Sequence, residues 1–430
     1  MLFRNANLAD GRTRDVRVTG ETIGAVARDL DPTVDETVVD ATDRLLLPGM
    51  IDTHVHFRQP GFGHKETWAT GSRSAAAGGV TTVVDQPNTE PPTVDGAAFD
   101  EKAEFATDSL VDYGINGGVT AAWDPGSLVD RPLFALGEVF LADSTGDMGI
   151  DSALFETAVE AAEGHGVTVT VHAEDANLFD ESVHPGGANE RHDADAWSAF
   201  RTADAEAEAV DRACASARNR GADIHVAHTS TPEGIDIAEK AGMSCEVTPH
   251  HLLLSRDDLD RLGTHGRMNP PLRSETRRQA VFERVVDGTV DVVATDHAPH
   301  TRAEKDADIW DAPSGVPGVE TALPLLLELA RRGNLGYERV RDLTAANPAE
   351  VFDLPRKGRV ETGRDADLVL VDPDASRPVR GENLHAKVDW TPFEGFDAVF
   401  PDLTLVRGTV VYRREDDSFG DPVGENVRSA

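Results

Sequence analysis

Four histidines and one aspartate stand where short β-rich segments of the sequence end. They are His54, His56, His172, His228 and Asp296. Imidazole and carboxylate groups are the ligands that zinc prefers in proteins. Because alternate residues of a strand point to the same side, His54 and His56 can hold one metal ion together. His172 and His228 come from other segments and can hold a second ion, so the pattern predicts a metal centre.

The segments that carry these residues are predicted strands. Eight runs rich in Val, Ile and Thr cover residues 49–57, 80–88, 111–119, 137–143, 167–175, 222–230, 244–251 and 290–297. Helical patterns lie between them, such as 204–221, which Gly221 closes. Eight strand–helix units predict a (β/α)8 barrel, in which the active site lies at the carboxyl ends of the strands. An open doubly wound sheet, which usually has fewer strands, is the alternative.

Both ends of the chain differ from the middle. Residues 1–48 and 356–430 alternate short strands with Asp/Gly turns. We expect the two pieces to pair into one small β domain, which leaves residues 49–355 as the barrel.

Composition limits the possible partners. The formal net charge is −36, and only 6 of the 41 basic residues are lysine. An acidic surface repels nucleic acid and anionic membranes, so neither is expected as a partner. Neither a long apolar run nor a signal peptide is evident, and the two cysteines form no pair or metal spacing, which predicts a cytoplasmic protein. Dispersed acids are typical of adaptation to high salt.

The remaining histidines are assigned lesser roles. His250 and His251 end the seventh predicted strand and are expected to support the metal ligands without binding the metal. Several others are expected at the surface, namely His165, His184, His192 and His265.

Seven motifs resemble those of the class I dihydroorotases, a family of the amidohydrolase superfamily. They are PGMIDTHVHFRQPG (48–61), GGVTTVVDQPNT (78–89), HAED (172–175), AHTS (227–230), EVTPHHLLL (246–254), MNPPLR (268–273) and ATDHAPH (294–300). The resemblance covers essentially the whole chain. It implies a distorted barrel with a β sandwich, and the reversible, zinc-dependent cyclisation of N-carbamoyl-L-aspartate to (S)-dihydroorotate in pyrimidine synthesis.

The resemblance also implies roles for the five metal-site residues. His54 and His56 match ligands of a first zinc, and His172 and His228 match ligands of a second. Asp296 matches a ligand of the first zinc that is also the general acid/base. The expected cofactors are therefore two Zn²⁺ ions per subunit.

Four further positions match substrate contacts of the family. Arg58 corresponds to the residue that binds the substrate carboxylate, for which a guanidinium offers a planar, bidentate fork. Asn88 and His300 match its partners, and Asn269 matches a contact to the ring. The expected partner is thus a small anionic molecule, and a homo-oligomer is possible.

One position departs from the superfamily pattern. Where relatives carry a carboxylated lysine between two metals, at the end of the fourth strand, this chain has Glu138. A glutamate is already a carboxylate, but its side chain is shorter than the modified lysine. Some class I relatives use an aspartate on the following loop, which makes Asp143 the alternative bridge.

Two other functions compete with this interpretation. One is another cyclic amidase, such as an allantoinase or a hydantoinase, against which Arg58 argues. The other is a metal-free scaffold or partner subunit, against which the complete set of histidines argues.

Overall fold

The computed structural model describes residues 1–142 and 148–429. Residues 1–48 form five strands: β1 (Leu2–Asn7), β2 (Thr13–Thr19), β3 (Thr22–Ala27), β4 (Val38–Asp40) and β5 (Leu45–Pro48). Strands β1, β2 and β3 pair antiparallel, whereas β4 and β5 run parallel to β1.

Eight strands follow in the middle of the chain, one in each predicted segment. They are β6 (Met50–Val55), β7 (Val80–Asp85), β8 (Asp112–Ile115), β9 (Leu136–Phe140), β10 (Val169–His172), β11 (Ile224–Val226), β12 (Ser244–Val247) and β13 (Val292–Val293). They form two parallel arcs, β6–β8 and β9–β13. Parallel bridges join Gly117 to Leu136 and Val55 to His297, which link the arcs at both edges. The predicted distorted barrel is confirmed.

Fourteen α-helices lie in the described part of the chain. They are α1 (Trp68–Ala77), α2 (Gly96–Ala106), α3 (Pro125–Val129), α4 (Ser152–His165), α5 (Ala196–Phe200), α6 (Ala203–Arg220), α7 (Pro232–Ala241), α8 (Pro249–Leu253), α9 (Leu259–Leu262), α10 (Glu275–Asp287), α11 (Arg302–Lys305), α12 (Ala322–Arg331), α13 (Tyr337–Arg341) and α14 (Asn347–Val351). The helix predicted over 204–221 is α6, which Gly221 ends at a φ of 68°. None of the described helices is long and apolar enough to cross a membrane.

Six strands lie near the C-terminus. They are β14 (Leu368–Val371), β15 (Ser376–Pro378), β16 (Asp397–Val399), β17 (Leu403–Val406), β18 (Thr409–Arg413) and β19 (Ser418–Phe419). Four of them, β14, β17, β18 and β19, complete the sheet begun by the N-terminus, while β15 and β16 pair with each other as a separate two-stranded sheet. Strand β14 pairs antiparallel with β5, so both ends share one nine-stranded mixed sheet. The prediction that the two ends form one β unit is confirmed, while domain boundaries at residues 48 and 356 stay a prediction.

Apolar packing fixes where the strand ends meet. The barrel strands are buried almost throughout, and Val, Leu and Ala from strands and helices form one large core. The terminal sheet has a separate core that includes Phe3, Val16, Leu46 and Leu405. Thr404 of β17 donates to the carbonyl of Ala76 at 2.8 Å, which ties the sheet to the first barrel helix.

Candidate active site

The first predicted ligand group converges at the mouth of the barrel. His54 lies in β6, His56 follows that strand, and Asp296 follows β13. Oδ1 of Asp296 lies 3.0 Å from Nε2 of His56 and 3.7 Å from Nε2 of His54. All three side chains are buried, and their ligand atoms are close enough together to hold a single ion.

Glu138 lies between this group and the second pair of histidines. Its Oε1 is 2.5 Å from Nε2 of His228 and 2.9 Å from Nδ1 of His172. Its Oε2 is 3.3 Å from Nε2 of His54. The carboxylate therefore contacts both groups, as a bridge between two metal ions requires. The alternative bridge, Asp143, lies outside the described residues.

Several features of this cluster fit a bound metal. The Nε2 atom of His54 is buried and has no hydrogen-bond partner, although it faces Glu138 and Asp296. An unpaired buried nitrogen is unfavourable unless a ligand meets it. The cluster offers only imidazole and carboxylate donors, which are typical of zinc sites.

Buried carboxylates orient two of the four rings. Glu246 of β12 contacts Nδ1 of His54 at 2.8 Å, and Glu174 contacts Nε2 of His172 at 2.8 Å. Arg201 pairs with Glu174 at 2.5 Å. A carboxylate on the outer nitrogen fixes the ring's tautomer and makes the inner nitrogen a better metal ligand.

Glu246 and Glu174 were not among the predicted site residues, although both stand in motifs quoted above. Glu246 also accepts hydrogen bonds from Thr53 at 2.8 Å and from His225 at 3.1 Å. For Glu246 the available signal was an acidic residue inside the buried strand β12, since a buried carboxylate needs partners.

The histidine rings keep the two central carboxyl groups ionised. Burial opposes ionisation of Glu138, but His228 and His54 hold its pKa well below its ordinary value. Burial likewise opposes ionisation of Asp296, yet its hydrogen bond with His56 keeps its pKa below the usual value. Both groups therefore carry negative charge toward the cavity at neutral pH.

Three residues of the site have unusual backbone conformations. The φ angles of Arg58, His228 and Asp296 are 65°, 33° and 46°. Residues other than glycine rarely adopt positive φ, and such strain concentrates at functional sites. All three follow the carboxyl end of a barrel strand, where the turn aims the side chain into the cavity.

Arg58 lines the same cavity as residues of the metal cluster. It is 3% exposed, and burial lowers its pKa to about 10, so it is charged at pH 7. Its Nε has no hydrogen-bond partner, and no carboxylate of the described residues pairs with it, Asp296 and Asp85 acting on it only through space. A buried guanidinium without a counter-ion is costly, and an anionic ligand would offset that cost.

His300 lies beside Arg58, as predicted. Its Nε2 is 3.1 Å from Nη2 of Arg58 and 2.9 Å from the carbonyl oxygen of Ser314. Its Nδ1 is 3.1 Å from Nζ of Lys65, which was not a predicted site residue.

Asn88 and Asn269 line the cavity together with Arg58. The Oδ1 of Asn88 is 2.7 Å from Nδ1 of His56, so this residue orients a predicted metal ligand as well as facing the cavity. The Oδ1 of Asn269 accepts a hydrogen bond from Nε1 of Trp197 at 2.8 Å.

The pair His250 and His251 differs from the prediction in one respect. Strand β12 ends at Val247, and both histidines lie in α8, because Thr248 caps that helix and Pro249 begins it. Both are buried, and burial lowers the pKa of His250 to about 4. Among the other histidines, His165 and His192 are exposed, while His184 and His265 are half-buried.

Comparison with known proteins agrees with the geometry. The model of the amidohydrolase family matches residues 45–411. A dihydroorotase of Halobacterium salinarum is 67% identical over 429 residues, 99% of either chain. A dihydroorotase of Methanosarcina mazei is 45% identical, covering 91% of this chain and 89% of its own.

Solved structures of cyclic amidases share the fold. An L-hydantoinase (dihydropyrimidinase) from Arthrobacter aurescens superposes with a TM-score of 0.93 at 27% identity, covering 98% of both chains. A dihydropyrimidinase from Brevibacillus agri superposes with a TM-score of 0.90 at 28% identity, covering 99% of this chain and 98% of its own. Since the family match and these alignments span most of its length, the chain belongs to the amidohydrolase family.

Proposed function

We propose that the protein is a dihydroorotase, a cyclic amidase that interconverts N-carbamoyl-L-aspartate and (S)-dihydroorotate. The observation that carries the proposal is a buried, charged Arg58 without a carboxylate partner among the described residues, in one cavity with a metal-ligand cluster. Such a cavity fits a cyclic amide that also bears a carboxylate. The two relatives described above bear the name dihydroorotase, which supports the same assignment.

Two zinc ions are the cofactors we infer for this site. His54, His56 and Asp296 would hold one ion, His172 and His228 the other, with Glu138 between them. When bound, such ions polarise an amide carbonyl and lower the pKa of a water molecule.

The chain's own residues would divide the remaining work. Asp296 is ionised and lies at the cavity wall, where it can accept a proton from the attacking water. During ring opening, the water oxygen bonds to the carbonyl carbon, the ring C–N bond breaks, and Asp296 returns the proton to the leaving nitrogen. Arg58 and His300 would hold the substrate carboxylate, and ring closure reverses these steps.

A hydantoinase or allantoinase activity is the alternative that the solved neighbours suggest. Hydantoin and allantoin have no carboxylate, so either substrate would leave Arg58 buried and unpaired. A site built to pair with a group rejects analogues that lack it, by roughly 10⁴-fold in well-studied enzymes.

The test is a comparison of kcat/KM on dihydroorotate, hydantoin and allantoin, with the metal content of the same preparation measured. We expect a strong preference for dihydroorotate and two equivalents of zinc. A preference for hydantoin or allantoin would contradict the proposal, and a protein without metal would favour the scaffold alternative. The proposed substrate is a small molecule. A cytoplasmic location and a homo-oligomer remain predictions from the sequence.

A further inference from the structure

We propose that Lys65 is a positioning residue that fixes one neutral tautomer of His300. The tautomer carries its proton on Nε2, where the Ser314 carbonyl accepts it and where a substrate carboxylate beside Arg58 would share it as a second acceptor. The proposal rests on the dihydroorotase function proposed above, and it adds a residue that determines specificity.

The three contacts of the His300 ring distinguish the tautomers. Lys65 Nζ lies 3.1 Å from Nδ1, while Arg58 Nη2 and the Ser314 carbonyl oxygen lie 3.1 and 2.9 Å from Nε2. A lysine ammonium has only donors, and a carbonyl oxygen only accepts. A proton on Nε2 therefore satisfies both Lys65 and Ser314, whereas a proton on Nδ1 satisfies only Arg58 and opposes the other two.

The charge state of His300 is consistent with this assignment. Burial, followed by the charges of Arg58 and Lys65, holds its pKa well below the ordinary value. The ring is therefore neutral at pH 7 and has a single proton to place. Because that proton lies on Nε2, the adjacent Nη2 of Arg58 meets a second donor rather than an acceptor.

Two adjacent donors, of which Arg58 lines the cavity, are suited to one anion. A carboxylate can accept a hydrogen bond from Arg58 and share the Nε2 proton of His300 with the Ser314 carbonyl, which would relieve the contact between the two donors. An uncharged ring amide could not accept as strongly from both. The tautomer that Lys65 sets thus favours substrates with a carboxylate at this position.

The surroundings hold Lys65 in place. Its side chain is 13% exposed, and Nζ pairs with Oε1 of Glu304 at 3.1 Å. Glu304 is itself fixed by the backbone and side chain of Thr301, both at 2.9 Å. The carbonyl oxygen of His300 accepts from Nε1 of Trp390 at 2.8 Å, so neither partner moves freely.

The experiment compares Lys65→Met with Lys65→Arg in the zinc-loaded enzyme. Methionine removes the donor, so KM for dihydroorotate should rise about tenfold or more with kcat changed less, because one charge-assisted hydrogen bond loses its orientation. Arginine also has only donors and should restore most of the affinity. The control is Lys387→Met, since Lys387 is exposed and donates to Gly63 in the same loop.

The tautomer itself can be read from ¹⁵N spectra of histidine-labelled protein. The His300 signals are assigned by their loss in His300→Asn, and we expect a protonated Nε2 in the wild type and a mixture in Lys65→Met. An unchanged KM would overturn the proposal, and so would a raised KM with an unchanged tautomer. If Lys65→Met fails to fold, Lys65→Gln takes its place with both readouts. Wild-type protein that does not act on dihydroorotate would instead refute the proposed function.

Discussion

The charged residues in and around the cavity form two groups of opposite sign, a metal side and a cationic side. The metal side brings together four buried carboxylates, Glu138, Glu174, Glu246 and Asp296. Apart from Glu174, which pairs with Arg201, their contacts are mainly histidines and hydroxyl or backbone groups. Such a set attracts cations.

The other group is cationic. It contains Arg58, which lines the cavity, and Lys65, which contacts His300 and pairs with Glu304. Nearby, Lys305 Nζ donates to carbonyl oxygens of Arg267, Pro313 and Gly315. Gly315 lines the cavity, so this fully buried lysine also shapes its wall. The difference indicates how a substrate is oriented, with its amide toward the metal side and its carboxylate toward the cationic side. Variants of the two sides should therefore fail in different ways.

The largest effect should come from Asp296→Asn on the metal side. An amide cannot accept a proton from water, so kcat should fall by about 10²–10⁴-fold or more. Binding of dihydroorotate should change little, because the cationic side is intact. Steady-state rates and metal analysis of the same sample check this. If a large fraction of the rate persists, a group other than Asp296 carries the proton.

Glu138→Ala should remove at least one metal ion. The remaining histidines would face two dications with less negative charge to offset them. Metal content measured after dialysis tests this, with Asp143→Ala as the matched variant that should keep both ions. Loss of metal in Asp143→Ala, with metal retained in Glu138→Ala, would show that Asp143 is the bridging residue. Since Glu138 needs no carbon dioxide, zinc should restore full activity to apoprotein in bicarbonate-free buffer.

These comparisons also show what the sequence could and could not predict. The eight strands and the residues at their ends were predictable, because parallel strands of a barrel bring their carboxyl ends to one mouth. The ring partners were not, because they depend on side-chain rotamers and distant contacts. Glu246 is 192 residues from His54, and no local pattern marks the pair. Lys65 was not predicted as a site residue for the same reason, because it lies in a loop 235 residues from His300.

Arg58→Asn should keep its metal ions and bind dihydroorotate much more weakly. Removing one partner of a buried charge pair costs about 2–5 kcal/mol, which corresponds to a rise in KM of roughly thirtyfold or more. Zinc content should equal that of the wild type. Kinetics on dihydroorotate together with metal analysis decide it, and an unchanged KM would remove Arg58 from the substrate site and reopen the hydantoinase alternative.

Glu246→Gln should weaken metal binding more gently. The outer nitrogen of His54 would lose its charged partner, and such changes typically reduce metal affinity about 10–100-fold. Competition with a chelator measures this. Glu320→Gln is the matched control, because Glu320 is also buried and bonded to a histidine, His385, at 2.9 Å, but outside the cavity. Equal affinities in both variants would show that Glu246 does not tune the site.

The smallest and most general effect concerns salt, which should act on the surface and spare the cavity. Lowering the concentration from about 1 M to about 0.1 M lengthens the Debye length from about 3 Å to about 10 Å. The surface acids, with a net charge of −36, would then repel one another and an anionic substrate, so Tm should fall and KM should rise.

Arg58 and its ligand are buried, where screening is weak, so Arg58→Asn should show the same relative dependence on salt as the wild type. Thermal unfolding and kinetics across a potassium chloride series test both parts. Constant Tm and KM would show that the acidic surface has another cause, and a weaker salt dependence in the variant would show that the cationic side is screened like the surface.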